Sequence, residues 1–427
     1  MELRQYPGLN EKIYWETLPN GLPVAVVPRP GFTKKLAYFV TDFGGIHTKF
    51  SCDGQDCEVP AGVAHYLEHK LFDMPGRDIT GEFAALGAVP NAFTGFDMTA
   101  YYFSCTDHFH QCLRLLLEFV STPYFTEESV QKEQGIIAQE IGMYEDSPDS
   151  RVFEILMQRM YENHPVQVPI LGTRESISQI TPEILNLCHK AFYRPDNMLL
   201  CVVGDVDPQQ VCNIALETLP QKAAVAVTRQ EHWQESMTCD QAPATEKMEV
   251  AMPMFYLGFK CEPAEKGAAA VRQEAVGDLA AEALFGESSW LYLRLYQQGL
   301  IDSSFGGGFE TVDGMAMLCA SGDSHQPEAV REAILQEAQR LSQEGIPQED
   351  FLRMKRSALG RRIRDLDSFD STCFRICAYH FSGFPYFDFP GIYQSVTLSE
   401  ILEFIKRVVT PTRCGMSVIY PAQEVSV

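Results

Sequence analysis

The chain has 427 residues, 45% hydrophobic and 21% charged, with a formal charge of −23. That length exceeds one ordinary hydrophobic core, so two or more domains are expected, and the acidic balance offers no basic stripe for a nucleic-acid partner. No stretch approaches the roughly 20 apolar residues of a membrane helix, and the polar start MELRQYPGLNEKIYWETLPNG lacks the segments of a secretion signal, so a cytoplasmic protein free of the membrane is expected.

GLPVAVVPRP and KLAYFVTDFGG, rich in Val, Phe and Tyr and bounded by Gly or Pro, read as two strands. A helix follows across AGVAHYLEHKLFD and another from Ile79 to Leu86, then two strands, VPNAFTG and TAYYFSCT. DHFHQCLRLLLEFV spaces its Leu and Phe residues for one buried helical face. Thr126 caps the next helix, Glu127 and Glu128 occupy its first turn, and Pro148 marks its end. Further helices lead to a strand from about Leu199 to Val206. The 13 cysteines, scattered through apolar segments at Cys112, Cys201 and Cys319, read as reduced core residues. Past Leu219 no period is sustained until Lys247, so 219–246 is read as a linker between a first domain, 1–218, and a second, 247–427.

The second half repeats the plan: a strand (VAMPMFYLGFKC), a helix (AVGDLAAEALF), two strands, a long helical pair and a last strand, CGMSVIY. Laying DLAAEALF on HYLEHKLF sets Asp278, Ala281 and Glu282 against His65, Glu68 and His69. The expected class is α+β, two tandem homologous α/β domains, each an antiparallel sheet covered by helices, with the metal residues in the first only.

HYLEH places His65 and His69 four apart on a helix, so both imidazoles project from one face as neighbouring ligands of a tetrahedral ion. Glu68 stands beside them, positioned to take a proton from a water at the ion; this is HxxEH, the reverse of HExxH. A catalytic zinc wants a third protein ligand and an open position. KEQGIIAQEIGMYED supplies candidates: Glu133 and Glu140 are seven apart and share a helical face, about 10 Å along the axis. Glu140 is taken as the ligand and Glu133 as a nearby assistant, hydrogen-bonded to a ligand or to the water network. Ile136, Ile137 and Ile141 are the apolar contacts expected to fix this helix. Without the histidines, these glutamates would read as an exposed acidic face.

HYLEH, followed by PNAFTGFDMTAYY, KEQGIIAQEIGMYEDSP and HPVQVPILGTRESI, resembles the pitrilysin/insulinase family of inverzincin zinc metallopeptidases. Size and layout are most similar to short bacterial members related to mitochondrial processing peptidase; the second half matches more loosely, through ESSWLYLRLYQQGLIDSSF. The resemblance implies two α/β roll domains facing each other across a cavity. It implies Zn2+ on His65, His69 and Glu140, Glu68 as general base with Glu133 assisting, and Asn91, Ala92, Phe93 and Thr94 on an edge strand to which an extended peptide adds. In the family it resembles, many active members carry an Arg, and a Tyr seven residues later, in the second domain. Anchored on Gly299, those positions fall on Leu295 and Asp302, while Arg294 is followed at the same interval by Ile301. The expected function is a zinc metalloendopeptidase, the metal-bearing subunit of a two-subunit enzyme whose homologous partner, or a second copy in a homodimer, supplies the Arg and Tyr. The alternative is a catalytically reduced peptide-binding or assembly subunit.

Overall fold

The computed structural model describes residues 1–221, 225–230 and 232–422. Residues 222–224 and 231 of the expected linker and 423–427 of the expected second domain lie outside the described residues.

Two sheets organise the chain. The first has seven strands in the spatial order Glu2–Tyr6, Glu11–Thr17, Pro23–Pro28, Met198–Gly204, Lys35–Thr41, Thr99–Cys105 and Val89–Thr94. The second has five: Ala244–Met248, Cys414–Pro421, Met254–Cys261, Met315–Asp323 and Gly306–Val312. Five strands of the first sheet have the same connectivity as the whole second sheet, which is the duplication expected from the sequence. Each sheet is antiparallel except for one pair: Pro23–Pro28 runs parallel to Met198–Gly204, and Ala244–Met248 parallel to Cys414–Pro421. In both five-strand sets the last strand inserts between the first and the second. Met198–Gly204 is buried along its whole length, as a central strand with both faces covered should be.

The N-terminal hairpin, Glu2–Tyr6 with Glu11–Thr17, lies in a stretch that reads as merely polar, because an outer strand facing water needs few apolar residues. Several described residues of the segment expected as linker pack on the two halves. Val227–Arg229 pairs with Phe50–Cys52, the Glu235 carboxylate accepts the backbone N–H groups of Glu162, Asn163 and His164, and the last three residues begin the outer strand Ala244–Met248.

Helices cover the sheets in a reciprocal way. Pro148–Met160 follows the metal-candidate helices in sequence, yet it packs on Met254–Cys261 and Cys414–Pro421 of the second sheet. Ser417 Oγ donates to Val152 O at 2.6 Å along that seam. Gly258 and Gly415 make the approach possible, since a Cβ at either would sit 2.5 Å from Met160 side-chain atoms. Phe369–Phe381, at the corresponding place in the second half, packs on Met198–Gly204 and Lys35–Thr41 of the first sheet. One hydrophobic core accordingly runs across both halves, while another fills the space between the first sheet and its own helices. All 13 cysteines are free, and all but Cys57 and Cys239 are buried, as apolar core residues. Among the described residues no helix is long and apolar enough to cross a membrane.

Candidate metal centre

The helix Val63–Leu71 carries HYLEH and is buried on nearly every side: Val63, Ala64, Tyr66, Leu67, Lys70 and Leu71 are all enclosed, leaving the Glu68–His69 edge open. Its start is pinned by close backbone contacts. Gly62 has φ 93°, and a Cβ there would lie 2.5 Å from Leu171 O; Gly172 faces it with φ 75°, its Cβ position 2.4 Å from Ala61 O. The Tyr66 hydroxyl donates to Val130 O, joining this helix to Glu127–Glu145. The latter begins with a Thr126–Ser129 capping box and buries Val130, Ile137 and Ile141. Ile136, expected among these anchors, is instead 46% exposed: at 100° per residue it falls outside the face that Ile137 and Ile141 share.

These two helices bring together the residues expected from spacing. Ligand atoms of His65, His69 and Glu140 lie within 4.8 Å of one another. His65 Nε2 is 3.6 Å from Glu140 Oε1, and His69 Nε2 is 3.4 Å from Glu140 Oε2. Donors about 2.0–2.1 Å from a tetrahedral ion stand about 3.3–3.4 Å apart, so the spacing fits zinc closely. Glu133 Oε1 lies 3.0 Å from His69 Nδ1. A carboxylate only accepts, so Nδ1 carries a proton, and loss of the Nε2 proton would leave that nitrogen's lone pair facing Glu140 and free for an ion. His65 Nδ1 is buried without a hydrogen-bond partner. The donor set therefore fits a zinc ion: two imidazoles and a carboxylate, with one side open to a cavity.

The electrostatics agree. Burial works against the His69 imidazolium, but hydrogen bonds to Glu133 and Glu140 outweigh it and push the pKa up to about 10. The two imidazoles, through hydrogen bonds and charge, hold the Glu140 carboxyl well below the ordinary range. Two carboxylates focused on two imidazoles make a site of negative potential suited to a cation. Glu68 points elsewhere: burial raises its pKa, opposed by the Thr94 hydroxyl, which donates to Glu68 Oε2 at 2.5 Å.

His65, Glu68 and Glu140 border a cavity of about 460 Å³, together with Ala92, Phe93 and Thr94. Val89–Thr94 is the outermost strand of its sheet, so its free edge is available to another strand. Asn91 is not on the cavity wall; its Oδ1 accepts Ala92 N–H at 2.8 Å. The remaining wall includes Phe96, Ile141, Tyr144, Arg151, Phe153 and Ile170, residues that no sequence pattern picked out. Every wall residue falls between 65 and 173, so the second half contributes none. Leu295 is buried in the core, Asp302 accepts from Ser304, and Arg294 lies over Trp290 at 4.3 Å.

At the corresponding place in the second half, ion pairs stand where a metal would. Asp278 accepts from Arg362 at 3.2 Å and from the Tyr393 hydroxyl at 2.6 Å, while Glu282 accepts from Arg361 at 2.7 Å. Both arginines project from Gln348–Arg364, the counterpart of the helix carrying Glu140.

Two duplicated sheet-and-helix units, with an inverted HxxEH helix and a distant glutamate in the first, define a chain built like the inverzincin peptidases. It belongs to the insulinase family, peptidase family M16: residues 55–174 match that family and 179–358 match the peptidase M16 inactive domain. A Bacillus subtilis protein named as an uncharacterized zinc protease, YmfH, is 36% identical over 422 residues, covering 98% of each chain. The Helicobacter pylori zinc protease PqqE is 26% identical over 86% of this chain and 82% of its own. The crystal structure of an M16-like protein from Alicyclobacillus acidocaldarius superposes with a TM-score of 0.92 at 32% identity, covering 96% of this chain and 99% of that one.

Proposed function

We propose that this protein is a zinc-dependent endopeptidase, with His65, His69 and Glu140 as metal ligands and Glu68 as general base. The observation carrying the proposal is the convergence of three donors from two helices at zinc-like spacing, with an unliganded carboxylate and an open cavity beside them. A zinc ion there supplies Lewis acidity and lowers the pKa of a nearby water towards about 7. Glu68, kept basic by burial, accepts the proton of the attacking water and delivers it to the leaving amine. Glu133 holds the His69 tautomer. An extended peptide adds to the free edge of Val89–Thr94, using the main chain around Ala92 and Thr94, so its carbonyl is presented to the cavity. Substitution of Glu68→Gln is expected to retain zinc at one ion per chain while turnover of a peptide mixture falls to background. Retained turnover removes Glu68 from this role.

The chain also acts, in this proposal, as the metal-bearing subunit of a pair. A cavity walled by the first half alone, and the placement of Leu295 and Asp302 away from it, support a partner of related sequence that supplies the Arg and Tyr. The pure chain is expected to cleave peptides far more slowly than the co-purified assembly. Full activity of the isolated monomer refutes the division of labour, and zinc binding without cleavage in either form points to a peptide-binding or assembly subunit.

A further inference from the structure

Thr94 occupies two positions at once. It is the last residue of the edge strand, pairing with Thr99 across the sheet, and its hydroxyl reaches the helix Val63–Leu71 to donate to Glu68 Oε2 at 2.5 Å. Alternation along the strand explains the reach. Ala92 packs with the core that holds this helix, whereas Phe93 points to the opposite face and meets Phe374 at 5.9 Å. Side chains alternate with period two, so Thr94 shares the face of Ala92 and looks at Glu68.

The backbone alternates as well. Gly95 N–H donates to Met98 O at 2.8 Å on the side of the partner strand, and Ala92 N–H donates to the Asn91 side chain at 2.8 Å, so by alternation Ala92 N–H lies on the free edge of the sheet. Main-chain groups two residues apart point the same way, which puts the N–H and C=O of Thr94 on that edge too. A strand added there bonds to Thr94 through its main chain while the side chain of the same residue holds the candidate base.

We propose that Thr94 is a positioning residue for Glu68, coupling alignment of the peptide strand to the orientation of the proton-accepting carboxylate. Its hydroxyl takes up one oxygen, Oε2, and the other, Oε1, is left for the water. Among the described residues no second hydrogen bond holds this carboxylate, and the two imidazoles act on it through charge alone. A hydrogen bond to a charged, mostly buried group is among the stronger kinds and restricts rotation about the last side-chain torsion. Thr at this position supplies the donor with a β-branched side chain held in few rotamers, so the hydroxyl is aimed before substrate arrives.

The inference rests on the peptidase reading, and the experiment separates the two. Thr94→Val keeps the shape and removes the donor; Thr94→Ser keeps the donor. Kinetics on the co-purified holoenzyme with a fluorogenic peptide should show kcat falling about tenfold to a hundredfold in Thr94→Val, KM changing by less than about threefold, and Thr94→Ser recovering most of the loss. Zinc content and thermal midpoint should match the parent in both. A rise in KM at constant kcat, or Ser behaving no better than Val, overturns the proposal, because the residue then only shapes the strand. Crystal structures of the zinc-loaded parent and Thr94→Val give a readout independent of turnover: the Glu68 carboxylate should rotate or split into two orientations when the hydroxyl is lost. An unchanged carboxylate refutes the positioning role even if the parent proves inactive, an outcome that by itself counts only against the peptidase reading.

Discussion

Glu133 offers the sharpest test of the metal centre, because its contribution runs through a single contact. Its carboxylate touches no other candidate ligand, and its Oε1 accepts from His69 Nδ1 at 3.0 Å, with the two side chains 14% and 25% exposed. In Glu133→Ala the ring loses the acceptor that fixes both its tautomer and its rotation, while His65, His69 and Glu140 stay in place. Loss of such an outer partner weakens metal binding by about 10- to 100-fold, equivalent to about 1.4–2.7 kcal/mol. Glu133→Gln retains an acceptor oxygen without the charge and should fall between the parent and Ala. Competition of the metal-free protein against a chromogenic zinc chelator at neutral pH measures the constants, and a thermal scan confirms that each variant is folded. An affinity in Glu133→Ala equal to the parent refutes the reasoning, since a ring held equally well without the carboxylate was never positioned by it.

Three further predictions concern stability. Buried Arg362 serves half-buried Glu274 and Asp278, so Arg362→Met should destabilise by about 3 kcal/mol in urea unfolding, chiefly through Asp278 left without a cation, since Arg375 still pairs with Glu274. Burial opposes ionisation of Glu274, yet Arg362 and Arg375 hold its pKa below the ordinary value. Its contribution is therefore complete above the unfolded pKa of about 4.5 and is lost as pH falls through the folded value. Glu274→Gln should flatten that part of the acid limb, and an unchanged acid limb would count against the pairing. Met160→Ala, emptying the space between Gly258 and Gly415, should lower stability by about 2–5 kcal/mol; a change below about 0.5 kcal/mol would mean that the seam closes over the gap.

The grouping of the candidate ligands was legible because their spacing is local in sequence. His65 and His69 share a helical face by their four-residue interval, Glu133 and Glu140 by their seven, and helical periodicity carries both pairs into three dimensions unchanged. Packing between distant segments was less accessible. Pro148–Met160 is amphipathic like any surface helix, and nothing in its pattern says that its apolar residues belong to the other half's sheet. The parallel pairing of Pro23–Pro28 with Met198–Gly204 joins strands some 170 residues apart, a distance over which no periodicity speaks. The cavity wall was missed for a related reason, since Phe96, Phe153 and Ile170 come from three separate segments, with no shared spacing. The bond between Thr94 and Glu68 escaped because a strand threonine facing a helix has no signature of its own.

The exchange of helices gives Pro148–Met160 two employers. Phe153, Glu154 and Gln158 face the cavity beside the metal candidates, while Leu156, Met157 and Met160 are embedded against the second sheet. A rotation of the second half would therefore tilt one wall of the cavity directly, as a lever does, because the same helix carries both contacts. It also means that neither half is a self-sufficient module: cut apart, each would present a bare sheet face to water.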